Sequence, residues 1–217
     1  MTGSSRRVST FWNRLGSREA APEQIRLTPE GLSRAQIASR LGISRAAVTS
    51  IAGDLIQRGL VRQASGRPSG GGRRGVLLEL KPGAGGLLGI DIGASHVTML
   101  LTDMAAHVLA EAEHSWPVAR GPEACLENLR AMFDQLMDQP AAAGVQPVAI
   151  GVGVPGPVVT SQGMVSAPPI MPGWDGFPIR QRLEDLLGKP VALHNDADPG
   201  ALGEWSFGAG REERDMV

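Results

Sequence analysis

The sequence predicts a two-part α/β protein: a small, mainly helical unit closed by a β-hairpin, then a larger unit in which strands and helices alternate. Three observations carry this. The chain has 217 residues, room for one large domain or two modest ones at about 100 to 200 residues each. The apolar pattern passes from helical spacing to strand-like runs across the turn-rich joint KPGAGG, residues 81–86. The charge changes sign at the same place. Residues 1–80 hold 13 arginines, no lysine and 5 acids, a net of +8, whereas residues 81–217 hold 8 basic residues against 17 acids, a net of −9. Opposite signs on consecutive segments fit two domains with different partners, the basic one suited to nucleic acid; chance clustering on a solvated face is the plainer alternative.

Composition narrows the class further. Hydrophobic residues at 42% and charged residues at 20% describe a globular chain, so the 29 glycines and 16 prolines act as structural punctuation. Cys125 is the single cysteine, which excludes an internal disulfide and a multi-cysteine zinc knuckle and suits a reducing compartment. The opening MTGSSRRVSTFWNRLGSRE has basic residues but no apolar run behind them, and no segment reaches the roughly 18 apolar residues of a membrane span. A cytoplasmic protein without a membrane partner is expected.

Residues 18–27 are expected to form the first helix, bracketed by Pro22 and Pro29. From Leu32 the chain reads LSRAQIASRLGISRAAVTSIAGDLIQRGLV. Ile37, Ala38 and Leu41 put one face of a short helix inward, Gly42 supplies a left-handed turn, and Ile43 plugs the corner. Ser44 is a good N-cap for the next helix, whose Val48, Ile51, Leu55 and Ile56 form an inward stripe. Ser44, Arg45, Ala46, Thr49 and Ser50 then face outward, as a helix entering a major groove requires; a plain helical hairpin has the same pattern. Two short strands follow, residues 60–63 and 76–80, joined by ASGRPSGGGRRG. Such a hairpin is a wing, and Arg67, Arg73 and Arg74 in its loop suit phosphate oxygens or a narrow minor groove, although a flexible linker would also carry them.

After the joint, strands are expected at residues 88–92, 97–102 and 107–116, the first turn being Gly93, Ala94 and Ser95. Asp91 in an apolar strand demands a partner, a cation or an exposed strand end. With Gly93 beside it, it could order magnesium near a phosphate, or simply cap a tight turn. Residues 122–138 form an amphipathic helix with Leu126, Leu129, Met132, Phe133 and Leu136 on one side. PVAIGVGVPGPV is an apolar strand running into a loop, where Gly151, Gly153 and Gly156 permit close approach of a ligand or another backbone. A proline-rich excursion carries Trp174 and leads into a helix over residues 179–187. KPVALHND is a strand ending in Asn195 and Asp196. Asp198 is placed to N-cap a helix with Pro199 at its first position, which sets Asp196 beside a helix N-terminus as a candidate base.

Taken in order, a winged helix-turn-helix followed by GIDIGASH, GVGVPGPV, APPIMPGWDGFPI and NDADPGALGE resembles the ROK family of repressors and sugar kinases, from about residue 32 to the end. The order of these motifs is more specific than any one of them. The resemblance implies an N-terminal winged helix-turn-helix at residues 1–80, a linker at 81–86, and at 87–217 part of an actin/hexokinase-like (ribonuclease H-like) α/β domain. By similarity, Asp91, Gly93 and Ser95 fall in the first phosphate motif. Gly156 lies near the sugar, Asn195 holds a sugar hydroxyl, Asp196 accepts its proton, and Glu204 contacts the ring. The chain departs from the family at Ala94, Ser95 and His96, where a second Gly, a Thr and often a Lys are usual, and at Pro169, where an Asn is usual. The sequence ends at Val217, ahead of the family's second phosphate loop, adenosine segment and zinc-holding His and Cys cluster. The expectation is a DNA-binding repressor of sugar metabolism that binds an operator duplex as a homodimer, with a sugar or sugar phosphate as its signal. The alternative is a sugar kinase with a DNA-binding head. No cofactor is expected for this chain, with ATP and magnesium only where the domain is completed.

Overall fold

The computed structural model describes residues 16–65, 76–206 and 208. The chain forms two compact units, one ending at Ala84 and the other beginning at Gly85.

The first unit holds α1 (Ser17–Arg26), β1 (Leu32–Ser33), α2 (Arg34–Leu41), α3 (Arg45–Gln57), β2 (Val61–Ser65) and β3 (Val76–Leu80). Local chemistry starts and stops the helices. Ser33 caps α2 reciprocally: its hydroxyl accepts the Gln36 N–H at 3.2 Å, while the Gln36 side-chain oxygen accepts the Ser33 N–H at 2.8 Å. Gly42 closes α2 at φ 65°, a left-handed conformation that a β-carbon would penalise. Ser44 then caps α3 by accepting the Ala47 N–H at 3.1 Å. The inward stripes of Ile25, Ile37, Val48, Leu55, Val61 and Leu78 form one small core. A polar tie sits beside it: Arg40 donates to Thr28 Oγ1 at 3.1 Å and to Gln24 Oε1 at 3.4 Å, fixing α2 to the end of α1. β2 and β3 pair antiparallel from Val61↔Leu80 to Ser65↔Val76, and β1 joins the other side of β3. This is a winged helix-turn-helix. Arg67, Arg73 and Arg74 lie outside the described residues.

Pro22 does not bracket α1 but sits inside it. An interior proline costs about 3 kcal/mol in an exposed helix. Here the burial of Ala20, Ala21 and Ile25 around it holds the helix through the proline.

The second unit is built on a five-stranded mixed sheet of β4 (Gly86–Ile92), β5 (His96–Asp103), β6 (Val108–Ser115), β7 (Pro147–Val154) and β10 (Val191–Asn195), in the order β10-β7-β4-β5-β6. β4, β5 and β6 are consecutive antiparallel strands, while β7 lies parallel to both β4 and β10. β4 opens at Gly86, two residues earlier than the sequence suggested, because Gly86 already pairs with Asp103. One sheet face presents Leu88, Ile90, Ile92, Met99, Leu101, Ile150 and Val152 to α4 (Pro122–Met137) and α5 (Ile179–Leu187), whose Leu129, Met132, Leu136 and Leu183 complete the core. Cys125 is buried there, and burial pushes its thiol up to about 12, so it stays protonated and unreactive. Between β7 and α5 runs the proline-rich excursion, stiffened by the small ribbon β8 (Val158–Val159) and β9 (Met164–Val165). Trp174 anchors it: the indole is fully buried, meets Phe177 edge-on at 5.7 Å, and donates its N–H to the Val118 carbonyl at 3.2 Å. The last described helix, α6 (Ala197–Ser206), is separated from β10 by Asp196 alone.

Candidate nucleic-acid interface and ligand site

In the first unit the outward face of α3 carries the candidate contacts. Ser44, Arg45, Ala46, Thr49 and Ser50 are all exposed, while Val48, Ile51, Ala52 and Leu55 on the opposite side are buried. The helix is therefore held by one face and free to present the other. Thr49 donates its hydroxyl proton to the Arg45 carbonyl at 2.8 Å, so toward a base edge its oxygen can only accept. Arg45 stands at the first helical position, from which a guanidinium can fork onto a guanine edge.

In the second unit the parallel directions of β4, β7 and β10 bring their carboxyl ends to one edge of the sheet, where open α/β sheets bind ligands. Asp91 and Gly93 come from the end of β4, Gly156 from the loop after β7, and Asn195 and Asp196 from the end of β10. Asn195 joins two of these segments. Its Nδ2 donates to the Gly156 carbonyl at 2.8 Å and its Oδ1 accepts the Ala197 N–H at 3.0 Å. One N–H and one lone pair remain for a ligand hydroxyl. Gly156 takes φ 98°, which glycine alone adopts freely, and Pro168 packs against it.

Gly153 separates the two carboxylates. It pairs with Asp91 across β4 and with His194 across β10. A β-carbon at this position would stand 3.2 Å from Asp91 Oδ1 and 3.3 Å from Asp196 Cα. Partial burial, followed by the Asp196 charge, raises the Asp91 carboxyl above its ordinary range, and His96 offsets part of this. Asp196 donates its N–H to the Val154 carbonyl at 3.0 Å and immediately precedes α6, whose N-terminal dipole favours an anion. The helix starts at Ala197, so Asp198 lies within its first turn, and it is Asn195 that caps the Ala197 N–H. Glu204 is exposed on α6, about two turns further on.

In the β4–β5 turn part of the backbone is already engaged. The Gly93 N–H donates to the His96 carbonyl at 2.9 Å, and the His96 ring lies so close that a β-carbon on Gly93 would be 2.8 Å from Cε1. Ser95 is exposed, with its carbonyl taken by the Trp116 N–H at 2.8 Å. Among the described residues, no group of three or more His, Cys, Asp or Glu side chains is placed to hold a metal ion. Nor is any described helix long and apolar enough to cross a membrane. Sequence reasoning missed Asp175, which reaches back to the Ala167 N–H at 2.7 Å. It also missed the buried Gln24 and Thr28 that receive Arg40.

Comparison with known proteins agrees with this arrangement. A MarR family model matches residues 24–75, and the ROK family model matches residues 87–217. A putative xylose repressor of Caldicellulosiruptor sp. (strain Rt8B.4) is 32% identical over 82% of this chain and 44% of its own length. The xylose repressor of Bacillus subtilis is 26% identical over 96% of this chain and 53% of its own length. The chain thus spans about half the length of these relatives. The glucokinase of Streptomyces coelicolor is 29% identical over 60% of this chain and 38% of its own. Among solved structures, a ROK family transcriptional regulator homologous to the E. coli MLC protein shares the fold with a TM-score of 0.67 at 21% identity, over 88% of this chain and 48% of that one. A ROK hexokinase from Thermus thermophilus aligns with 58% of this chain and 40% of its own, at 33% identity and a TM-score of 0.51. With the ROK family model matched from Leu87 to Val217, over more than half of the sequence, the chain belongs to the ROK family.

Proposed function

We propose that the chain acts as a sugar-responsive, DNA-binding transcriptional repressor, reading an operator with α3 and sensing a sugar through its ROK unit. The observation that carries this reading is the outer face of α3, where Arg45, Ala46, Thr49 and Ser50 are exposed on a helix fixed from behind. Arg45 and Thr49 contact base edges, and Arg67, Arg73 and Arg74 in the wing loop contact phosphates. Two copies bind a two-fold operator, each supplying one recognition helix. Relatives named as xylose repressors match 82% or more of the chain, whereas those named as glucokinases match 60%, which favours the regulator. Gly156, Asn195, Asp196 and Glu204 form the sugar site, and D-xylose is the first candidate ligand. Binding regulates only if the sugar prefers one arrangement of the DNA heads over another.

An electrophoretic shift assay with a duplex from upstream of the protein's own gene, with and without D-xylose or D-glucose, tests this. A shift at low ionic strength is expected, weakened in Arg45→Ala and weakened by one of the sugars. Indifference to every duplex at low salt ends the reading. Asp196, at the start of α6, favours a second reading as the base of a sugar kinase. A coupled assay for sugar-dependent ATP turnover, with Asp196→Asn as control, separates the two.

A further inference from the structure

Ala167 is one of two described non-glycine residues with positive φ, the other being Ala106 in the β5–β6 turn. Its φ of 42° is unfavourable for any residue with a β-carbon, and the following Pro168 adds a second penalty by pushing its predecessor toward extended backbone. A conformation opposed twice persists only where its surroundings over-determine it.

Two contacts do so. Asp175 accepts the Ala167 N–H on Oδ1 at 2.7 Å. Asp175 is itself set beside the ribbon by a bridge to Val165 and by the Gly176 N–H, which donates to the Val165 carbonyl at 3.1 Å. On the other side Pro168 rests against Gly156: a β-carbon on Gly156 would lie 3.2 Å from Pro168 Cβ. Gly156 is in turn the residue whose carbonyl Asn195 holds. The contacts therefore run from Asp175 through Ala167 and Pro168 to Gly156 and Asn195. The Asp175 carboxylate is exposed and belongs to no core, so packing of the excursion, which Trp174 and Met171 supply, does not need it.

We propose that Asp175 is a positioning residue for the sugar site: by holding Ala167 left-handed it seats Pro168 on Gly156 and fixes the loop that borders Asn195. The sugar part of this statement rests on the function proposed above. An amide oxygen can take the same N–H, so Asp175→Asn retains the role and Asp175→Ala loses it. Glycine adopts the left-handed region without penalty, so Ala167→Gly removes the need for the clamp.

The experiment uses the full chain with these three variants and the Ala167→Gly/Asp175→Ala double variant. Amide hydrogen exchange at residue 167, without any sugar, is expected to rise about tenfold in Asp175→Ala and to stay near wild type in Asp175→Asn. Calorimetric titration with D-xylose and D-glucose is expected to show about tenfold weaker binding in Asp175→Ala, with recovery in the double variant. Unchanged exchange at residue 167 in Asp175→Ala overturns the proposal, as does equal loss of sugar affinity in the Asn and Ala variants. A wild-type chain that binds neither sugar counts against the sugar reading, and the exchange measurement alone then decides the role of Asp175.

Discussion

Asn195 and Gly156, 39 residues apart in sequence, are joined by one hydrogen bond of 2.8 Å from the carboxamide to the carbonyl. The same carboxamide caps the Ala197 N–H with its oxygen. Asn195→Asp keeps the acceptor but sets a carboxylate oxygen against the Gly156 carbonyl, while Asn195→Ala removes both bonds. Each variant is expected to destabilise the second unit by about 1 to 2 kcal/mol and to lose sugar affinity, with Asp no better than Ala. Thermal unfolding and sugar titration check this; an Asp variant as stable as wild type contradicts the donor role.

Gly153 is a spacer between Asp91 and the start of α6. Gly153→Ala places a β-carbon 3.2 Å from Asp91 Oδ1 and 3.5 Å from Pro199 Cγ. The crowding is expected to cost about 1 to 3 kcal/mol, read as a lower denaturation midpoint. Gly151→Ala, whose β-carbon would meet nothing within 4 Å, is the control and should not be destabilised by crowding.

Two carboxylates respond to pH in opposite senses. Asp91 is raised by burial and by Asp196, so its contribution to stability is complete below the usual carboxylate range and is lost as pH rises through its folded value. Asp91→Asn is therefore expected to raise Tm at pH 7, with the gain shrinking toward pH 3. For Asp103, burial alone would raise the carboxyl, but the His107 side chain and the N–H groups of His107 and Ala105 outweigh it and hold it low. Its contribution is present above the usual range and is lost as pH falls through its folded value. Asp103→Asn should lower Tm at pH 7 and leave it unchanged near pH 2. Identical pH profiles for the two variants would refute both assignments.

In the first unit, Ser44→Ala removes the cap of α3 and is expected to cost about 1 kcal/mol of stability. Arg45→Ala and Thr49→Ala should weaken specific DNA binding by about 1 to 3 kcal/mol and leave random duplex nearly unaffected. Arg73→Ala should weaken binding to all duplexes and reduce the salt slope by about one. Filter binding over a salt series distinguishes these patterns, and equal losses on specific and random DNA for all three would refute the assignment of α3.

The elements legible in the sequence were those set by neighbours in the chain. Ser44 and Gly42 mark their helix ends by local chemistry, and α5 covers Ile179–Leu187 as expected, between Pro178 and Gly188. The convergence of Asp91, Gly156, Asn195 and Asp196 was legible only through the order of motifs, since strand ends meet by the parallel pairing of β4, β7 and β10. Pro22 misled because tertiary burial outweighed a local rule. The start of α6 shifted because the Asp196 N–H is bound to Val154, which fixes where the strand stops. The Asp175–Ala167 pair left no local signal, because it depends on a ribbon that brings residue 175 alongside residue 165.

The Trp174 indole grips the Val118 carbonyl, and the Val118 N–H in turn holds the Ala94 carbonyl at 3.1 Å. The β4–β5 tip and the excursion are thereby both bound to one residue, Val118. A shift of the excursion at Trp174 is therefore passed through Val118 to Ala94 at the far tip of the sheet.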